Sequence, residues 1–330
     1  MTDQTNDQLT RNIVKLILYS LAVLINNWLL FVLWRDPLKR LRNFPSLIIA
    51  NLALVEIVGA IGGLGQTTAI FVCAKDLSCV DIHKLFACIQ TIGLQNSFVF
   101  IALLAFDRFL AISSPYRYQV IFGNKYIRAF ICISAWATGL ILSPLVHYVE
   151  LNKKGQTFVL HQLYVADVTI LAVITAVLYP LNYYNYLRRK RLLNASLHRE
   201  HAMEDLRLAQ QMNVSAMIVA TVFFTALAPY AIVLVYTMKD CIKCLTNKTF
   251  YNFWVNYQAV IAVVLFIHPI IYAWRLPLYR NSSIAVGKQL LNMISSNKRS
   301  TNSMNRLSIS NSSRSRIQFT SSTAINDVYV

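Results

Sequence analysis

Acidic side chains are scarce in this chain: 14 Asp and Glu stand among 330 residues, and charged residues of all kinds make up 14%. A soluble domain carries about 25%, so a water-soluble globular fold is excluded. Also missing are a nucleophile–base set and any His/Cys/Asp/Glu group with metal-ligand spacing, so neither an enzyme nor a metal or cofactor site is expected. No internal repeat is visible, and no pair of apolar segments is interrupted by Gly and Pro as transporter halves often are. The first 11 residues lack the charged, apolar and cleavage regions of a secretory leader. The first apolar segment is therefore expected to act as an uncleaved signal anchor.

What is abundant is apolar sequence, at 56% of residues and a mean hydropathy of +0.48. Seven mainly apolar runs fall at about 12–34, 45–70, 83–112, 127–149, 163–187, 211–237 and 251–274. Each is long enough to cross a bilayer, and backbone facing lipid must be helical there. The expected fold is an all-α membrane protein, a seven-transmembrane helix bundle over residues 12–274 with a short amphipathic eighth helix. That last helix is PLYRNSSIAVGKQLL, residues 277–291, whose apolar and basic residues at helical spacing suit a membrane surface. Residues 1–11 read as an extracellular N-terminus. Residues 292–330, rich in Ser, Asn and Arg, read as a disordered cytoplasmic tail. Its Ser/Thr beside Arg are candidate sites for a receptor kinase, and phosphates there would build an arrestin-docking pattern. The closing Asp327-Val-Tyr-Val330 could add as a strand to a PDZ domain.

The net charge of +17 invites a nucleic-acid reading until the charges are placed. With the N-terminus outside, most of the 31 Lys and Arg fall in the inner loops and tail, among them Arg35, Lys39, Arg40, Lys125, Arg128 and the run Arg188–Arg191. That bias is the positive-inside rule. It orients the protein towards anionic membrane lipid and removes the case for nucleic acid.

Six cysteines are present. Cys88 and Cys132 lie within apolar segments and read as buried thiols. Cys73, Cys79, Cys241 and Cys244 fall in two outer loops, an oxidising compartment, and are disulfide candidates whose pairing the sequence leaves open. Asn247-Lys-Thr is the glycosylation sequon on the outer face. Two polar motifs close apolar segments where a helix meets water: Asp107-Arg108-Phe109, followed by Pro115 and Tyr116, and His268-Pro269-Ile-Ile-Tyr272. An arginine at such a boundary must snorkel or pair with an acid, and Asp107 is adjacent.

On these residues the chain resembles the rhodopsin-family (class A) G-protein-coupled receptors, over about residues 12–291. The carried motifs are Asn27 in the first helix, Asn51-Leu-Ala-Leu-Val-Glu56 in the second, Asp107-Arg108-Phe109 in the third and Trp136 in the fourth. Pro229 in the sixth and His268-Pro269-Ile-Ile-Tyr272 in the seventh complete them. The resemblance implies a receptor that passes binding of an extracellular ligand to a heterotrimeric G protein. Arg108 would contact the G protein, with Asp107, Phe109, Pro115, Tyr116, Tyr179 and Tyr272 supporting it and Pro229 and Pro269 allowing kinks. The chain departs from the family pattern at several positions. Glu56 replaces an aspartate, His268 an asparagine, and Leu227 the tryptophan two residues before Pro229. The cysteine bridge from the third helix to the second outer loop is absent. Ala209 stands where an acid often locks the arginine, which would raise basal activity. Within the family, the missing bridge, the outer CxxC and the YAWR run resemble melanocortin and adenosine receptors.

The resemblance also implies that Asn27, Glu56, Ser97 and His268 form a buried polar switch near the bilayer midplane. Glu56 and His268 then either share a proton or ion pair that biases the resting state, or form a neutral, hydrogen-bonded packing pair. A hard cation prefers oxygen ligands to imidazole, so no sodium-type metal site is expected. Helical spacing from the anchors points to Gln66, Gln90, Thr91, Leu94, Asp167, Tyr230, Leu234 and Gln258 as lining an outer ligand pocket, or equally as polar glue between helices. Gln90 supplies no carboxylate for an amine, so a small peptide, a lipid or a nucleoside-like ligand fits better. The rival reading is a seven-helix transporter or channel, which would want ionisable residues along a path. Beyond Glu56, His268 and Asp167 the midplane offers none.

Overall fold

The computed structural model describes residues 2–38, 41, 43–72, 80–152, 157–194, 200–240, 248–276 and 278–293. Every regular element among them is a helix: α1 Thr2–Arg35, α2 Phe44–Val72, α3 Val80–Ser113, α4 Pro115–Gly123, α5 Lys125–Asn152, α6 Thr157–Asn194, α7 Glu200–Asp240 and α8 Lys248–Arg275. A further helix, α9, runs over 278–293. Six of them are long and apolar enough to cross a membrane. The described apolar stretch of α8, Asn256–Tyr272, is shorter. The whole helix has 28 residues and extends ~42 Å at 1.5 Å per residue, beyond the ~30 Å hydrocarbon core. With α4 a short connector, seven helices span. α1 begins at Thr2, so helix continues through the segment read as a polar N-terminus.

α3 is the axis of the bundle, packing against α2, α5, α6 and α7, while α1 closes against α2 and α8. Helices in lipid gain little from the hydrophobic effect against one another, so close backbone approach and buried polar bonds must hold them. Both are present. A Cβ on Gly93 of α3 would lie 2.4 Å from the Gly59 Cα of α2, and one on Gly62 would lie 2.3 Å from the Gln90 nitrogen. Only glycine lets α2 and α3 touch there. The outward faces carry Leu24, Phe130, Ile133 and Ile141, each more than 60% exposed, a surface suited to acyl chains.

Local sequence explains the helix ends. Asp36, at φ 33°, leaves α1 through the left-handed region that Asp tolerates, and its carboxylate accepts the Leu41 N–H at 3.1 Å. Pro115 takes the first position of α4, where its missing N–H costs nothing. Asn124 then separates α4 from α5, its side chain accepting the Tyr126 N–H at 2.9 Å. Arg189 of α6 donates to the last-turn carbonyls Ala111 and Ile112 of α3, satisfying groups that have no helical partner.

The described residues up to Arg280 form one compact unit, and those from Asn281 onward fall in a second. The tail after 293, Cys73, Cys79, Cys241, Cys244 and Asn247 lie outside the described residues. Cys88 and Cys132 are free thiols; Cys132 is buried as expected, whereas Cys88 is half-buried.

Candidate functional site

Polar side chains inside the bundle gather at three levels. At one end, Arg108 is 4% exposed on the last turns of α3. Its Nε donates to Asp107 Oδ2 at 2.8 Å, and its Nη2 bonds the same oxygen. Tyr118 of α4 donates to Asp107 Oδ1 at 2.8 Å. The other face of the guanidinium meets α7 through the Met212 sulfur, 3.5 Å from Nη1. A thioether is a weak acceptor, so among the described residues α7 meets Arg108 with a soft contact rather than a carboxylate. Nearby, the Tyr279 hydroxyl and Ser46 Oγ are 2.8 Å apart. Tyr179 of α6 and Tyr272 of α8 are buried within electrostatic reach of each other, and both hydroxyls lack a partner.

Of the residues assigned to this level from sequence, Asp107, Arg108, Tyr179, Pro269 and Tyr272 are buried and Phe109 and Pro115 half-buried. Tyr116 is 79% exposed. Tyr118, two residues later, is the aromatic that reaches Asp107. The available signal was the Tyr118–Phe122 pair, four residues apart on one face of α4, with Phe122 stacked on Phe44 of α2 at 4.3 Å between centroids. Pro229 lies inside α7.

At mid-bundle, His268 Nδ1 and Glu56 Oε1 form a fully buried pair. The Phe223 ring packs against the imidazole at 5.3 Å and against Phe98 at 4.6 Å. His268 Nε2 has no partner. Ser97 is buried too, with its hydroxyl donating to the Gly93 carbonyl at 2.9 Å. The expectation for Asn27 is corrected: it is exposed and donates to Val23 of its own helix. Asn26 faces inward, lies beside Glu56, and donates 3.0 Å bonds to the Ala22 and Leu265 carbonyls. Successive helical residues differ by about 100°, so only one of the two neighbours can face the bundle. Trp136 of α5 donates to Asn51 Oδ1 at 3.0 Å, and Asn182 of α6 bridges Ala105 of α3 and Asn213 of α7.

At the far end, the candidate pocket residues separate into two groups. Gln90 donates to the Tyr19 hydroxyl at 2.7 Å, Tyr19 donates to the Gln258 carbonyl at 3.0 Å, and Gln258 donates to Gln66 at 2.9 Å. All four are buried. They tie α1, α2, α3 and α8 together, the glue reading of their spacing. Thr91 donates to Ala87 of its own helix, and Gln95 bonds Asp167 across α3 and α6. Leu94 lines a narrow crevice with Phe223, Tyr257, Val260, Ile261 and Val264, too tight to admit a water molecule. The side chains of Tyr230 and Leu234 lie outside the described residues.

Seven long apolar helices around a buried arginine and a buried acid–imidazole pair define a multi-pass membrane protein of the receptor type. The family profile described as 7 transmembrane receptor (rhodopsin family) matches residues 25–272. The chain belongs to that family. No curated protein matches it in sequence.

Proposed function

We propose that the protein is a plasma-membrane receptor, N-terminus outside and C-terminus in the cytoplasm, that passes binding of an extracellular ligand to a heterotrimeric G protein. The single observation that carries this is the setting of Arg108. A permanently charged guanidinium is buried at one end of the bundle, tied to Asp107 of its own helix, and among the described residues the α7 group that bonds it is the Met212 thioether. Displacing α7 uncovers a group with five fixed donors, suited to the carbonyls and carboxylates of a partner helix. Receptor kinase and arrestin would act later, on the tail. The ligand is a small peptide, a lipid or a nucleoside-like molecule.

Arg108→Ala tests the reading. The variant should reach the cell surface in parental amounts and fail to stimulate nucleotide exchange on a panel of G proteins. Full retained exchange would overturn the mechanism. A transporter or channel would instead show solute flux in reconstituted vesicles.

A further inference from the structure

A cleft of about 480 Å³ opens between α7 and α8, lined by Gln210, Gln211 and Val214 of one helix and Trp274 and Arg275 of the other. Its volume is that of a site for a small molecule or a headgroup. It lies at the Arg108 end of the bundle, because Gln211 directly precedes Met212, whose sulfur meets Arg108. The one charge on its lining is positive: Arg275, exposed in the last turn of α8. Glu204, a described acid of α7, comes two turns before Gln211, ~10 Å along the helix axis. Gln210 is half-buried, and its Oε1 is buried without a hydrogen-bond partner. A buried acceptor of this kind calls for a donor. Val214 and Trp274 supply apolar walls. Trp274 is 76% exposed, and a tryptophan at the end of a membrane helix sits at headgroup level. About one turn from Val214 towards mid-bundle, Met217 is exposed on α7 and continues the apolar surface along which an acyl chain can lie.

We propose that this cleft binds the headgroup of a singly charged phospholipid whose phosphodiester carries a ring of hydroxyls, as in phosphatidylinositol. One guanidinium balances one phosphodiester charge and offers it two parallel N–H bonds. A headgroup hydroxyl donates to Gln210 Oε1, and the Gln211 amide is placed to bond a second. A more highly charged headgroup would need further cations that the lining does not provide. The bound lipid bridges α7 and α8 and so stabilises the bundle in the arrangement that covers Arg108. In the proposed receptor this end faces the cytoplasm, so the lipid is one of the inner leaflet. The site rests on that reading for the leaflet alone.

The test uses the purified full-length protein in nanodiscs and reads its melting temperature. Both leaflets are accessible and no G protein is needed, so failure here leaves the coupling assay untouched. Three bilayers are compared: phosphatidylcholine alone, and phosphatidylcholine with equal mole fractions of either phosphatidylinositol or phosphatidylserine. The two anionic lipids carry the same net charge, so a difference between them reports the hydroxyls. The parent should melt highest with phosphatidylinositol. Arg275→Gln should need at least about tenfold more of that lipid for the same shift, as expected for a lost charged hydrogen bond. Gln210→Leu keeps the charge and should respond equally to the two anionic lipids. Arg280→Gln removes an exposed cation outside the cleft and should keep the parental shift, which separates a site from general attraction of a basic end to anionic membrane. Three outcomes each overturn the proposal. They are equal melting in all three bilayers, which would fit a protein segment as the occupant; equal melting with the two anionic lipids, which marks unselective charge attraction; and a full shift retained in Arg275→Gln.

Discussion

Met212→Glu places a carboxylate where a thioether now faces Arg108. The Met212 sulfur lies 3.5 Å from Arg108 Nη1, and glutamate has nearly the same reach, so its oxygens arrive within bonding distance without moving α7. A hydrogen bond between charged partners contributes about 1.5–3 kcal/mol, and desolvating the new carboxylate takes back part of that. A net figure of about 1.4 kcal/mol shifts a two-state equilibrium tenfold. The variant should hold α7 against α3 and lower ligand-independent nucleotide exchange about tenfold, normalised to receptor number at the surface. Met212→Gln, a neutral acceptor of the same length, should lower it far less. Exchange in Met212→Glu at or above the parental rate, with equal surface number, would refute the idea that the thioether is the weak point.

Three further outcomes follow from the same contacts. Gly93→Ala puts a methyl group 2.4 Å from the Gly59 Cα; it should destabilise the protein by about 1–3 kcal/mol, measured as a lower melting temperature and reduced surface expression. Gln90→Leu removes the 2.7 Å donor to Tyr19 and should cost about 1 kcal/mol in the ligand-free protein; unchanged stability would return Gln90 to the ligand-contact reading. His268→Asn breaks the buried pair with Glu56 and should change basal exchange at fixed pH. Exchange equal to the parental rate at equal surface number would show that the pair is structural only.

The class of fold was legible because crossing a bilayer imposes length and apolarity that any reader of the chain can see. The facing of individual residues was harder. A membrane helix is apolar all round, so periodicity gives little phase, and Asn26 and Asn27 are the same residue type side by side. Only the buried stripe of α1 that runs from Asn12 through Tyr19 to Leu29 fixes the answer, and its polar members are what an apolar-period search discards. Arg108 and Asp107 were readable because a charge at a helix end has few places to go. Tyr118 was not, since only the helix begun at Pro115 sets it on the same face as Phe122 and turns it towards Asp107. The glutamines were identified as important from spacing, but sequence cannot distinguish a side chain facing a cavity from one facing another amide.

The two ends of the bundle are held by different chemistry. Around Gly59, Gly93, Tyr19, Gln66, Gln90 and Gln258, α1, α2, α3 and α8 are joined by backbone contact and a chain of amide bonds. Separating them would leave several buried polar groups unpaired at once. α7 has no such anchorage where it meets Arg108, and Pro229 interrupts its hydrogen-bond ladder higher up. Its polar ties are Asn182–Asn213 to α6 and, from α8, the bond of the Tyr257 hydroxyl to the Ala226 carbonyl. α6 is itself bonded to α3 through Asn182–Ala105, Arg189–Ala111 and Gln95–Asp167, so α7 is the helix whose Arg108 end can shift while α3 and α6 stay. In the proposed receptor the movement that exposes Arg108 is therefore a displacement of that end of α7 from the block formed by α1, α2, α3, α6 and α8. The buried hydroxyls of Tyr179 and Tyr272, without partners in this arrangement, sit on α6 and α8, the two helices that α7 packs between, and are groups that stand to gain bonds when it moves.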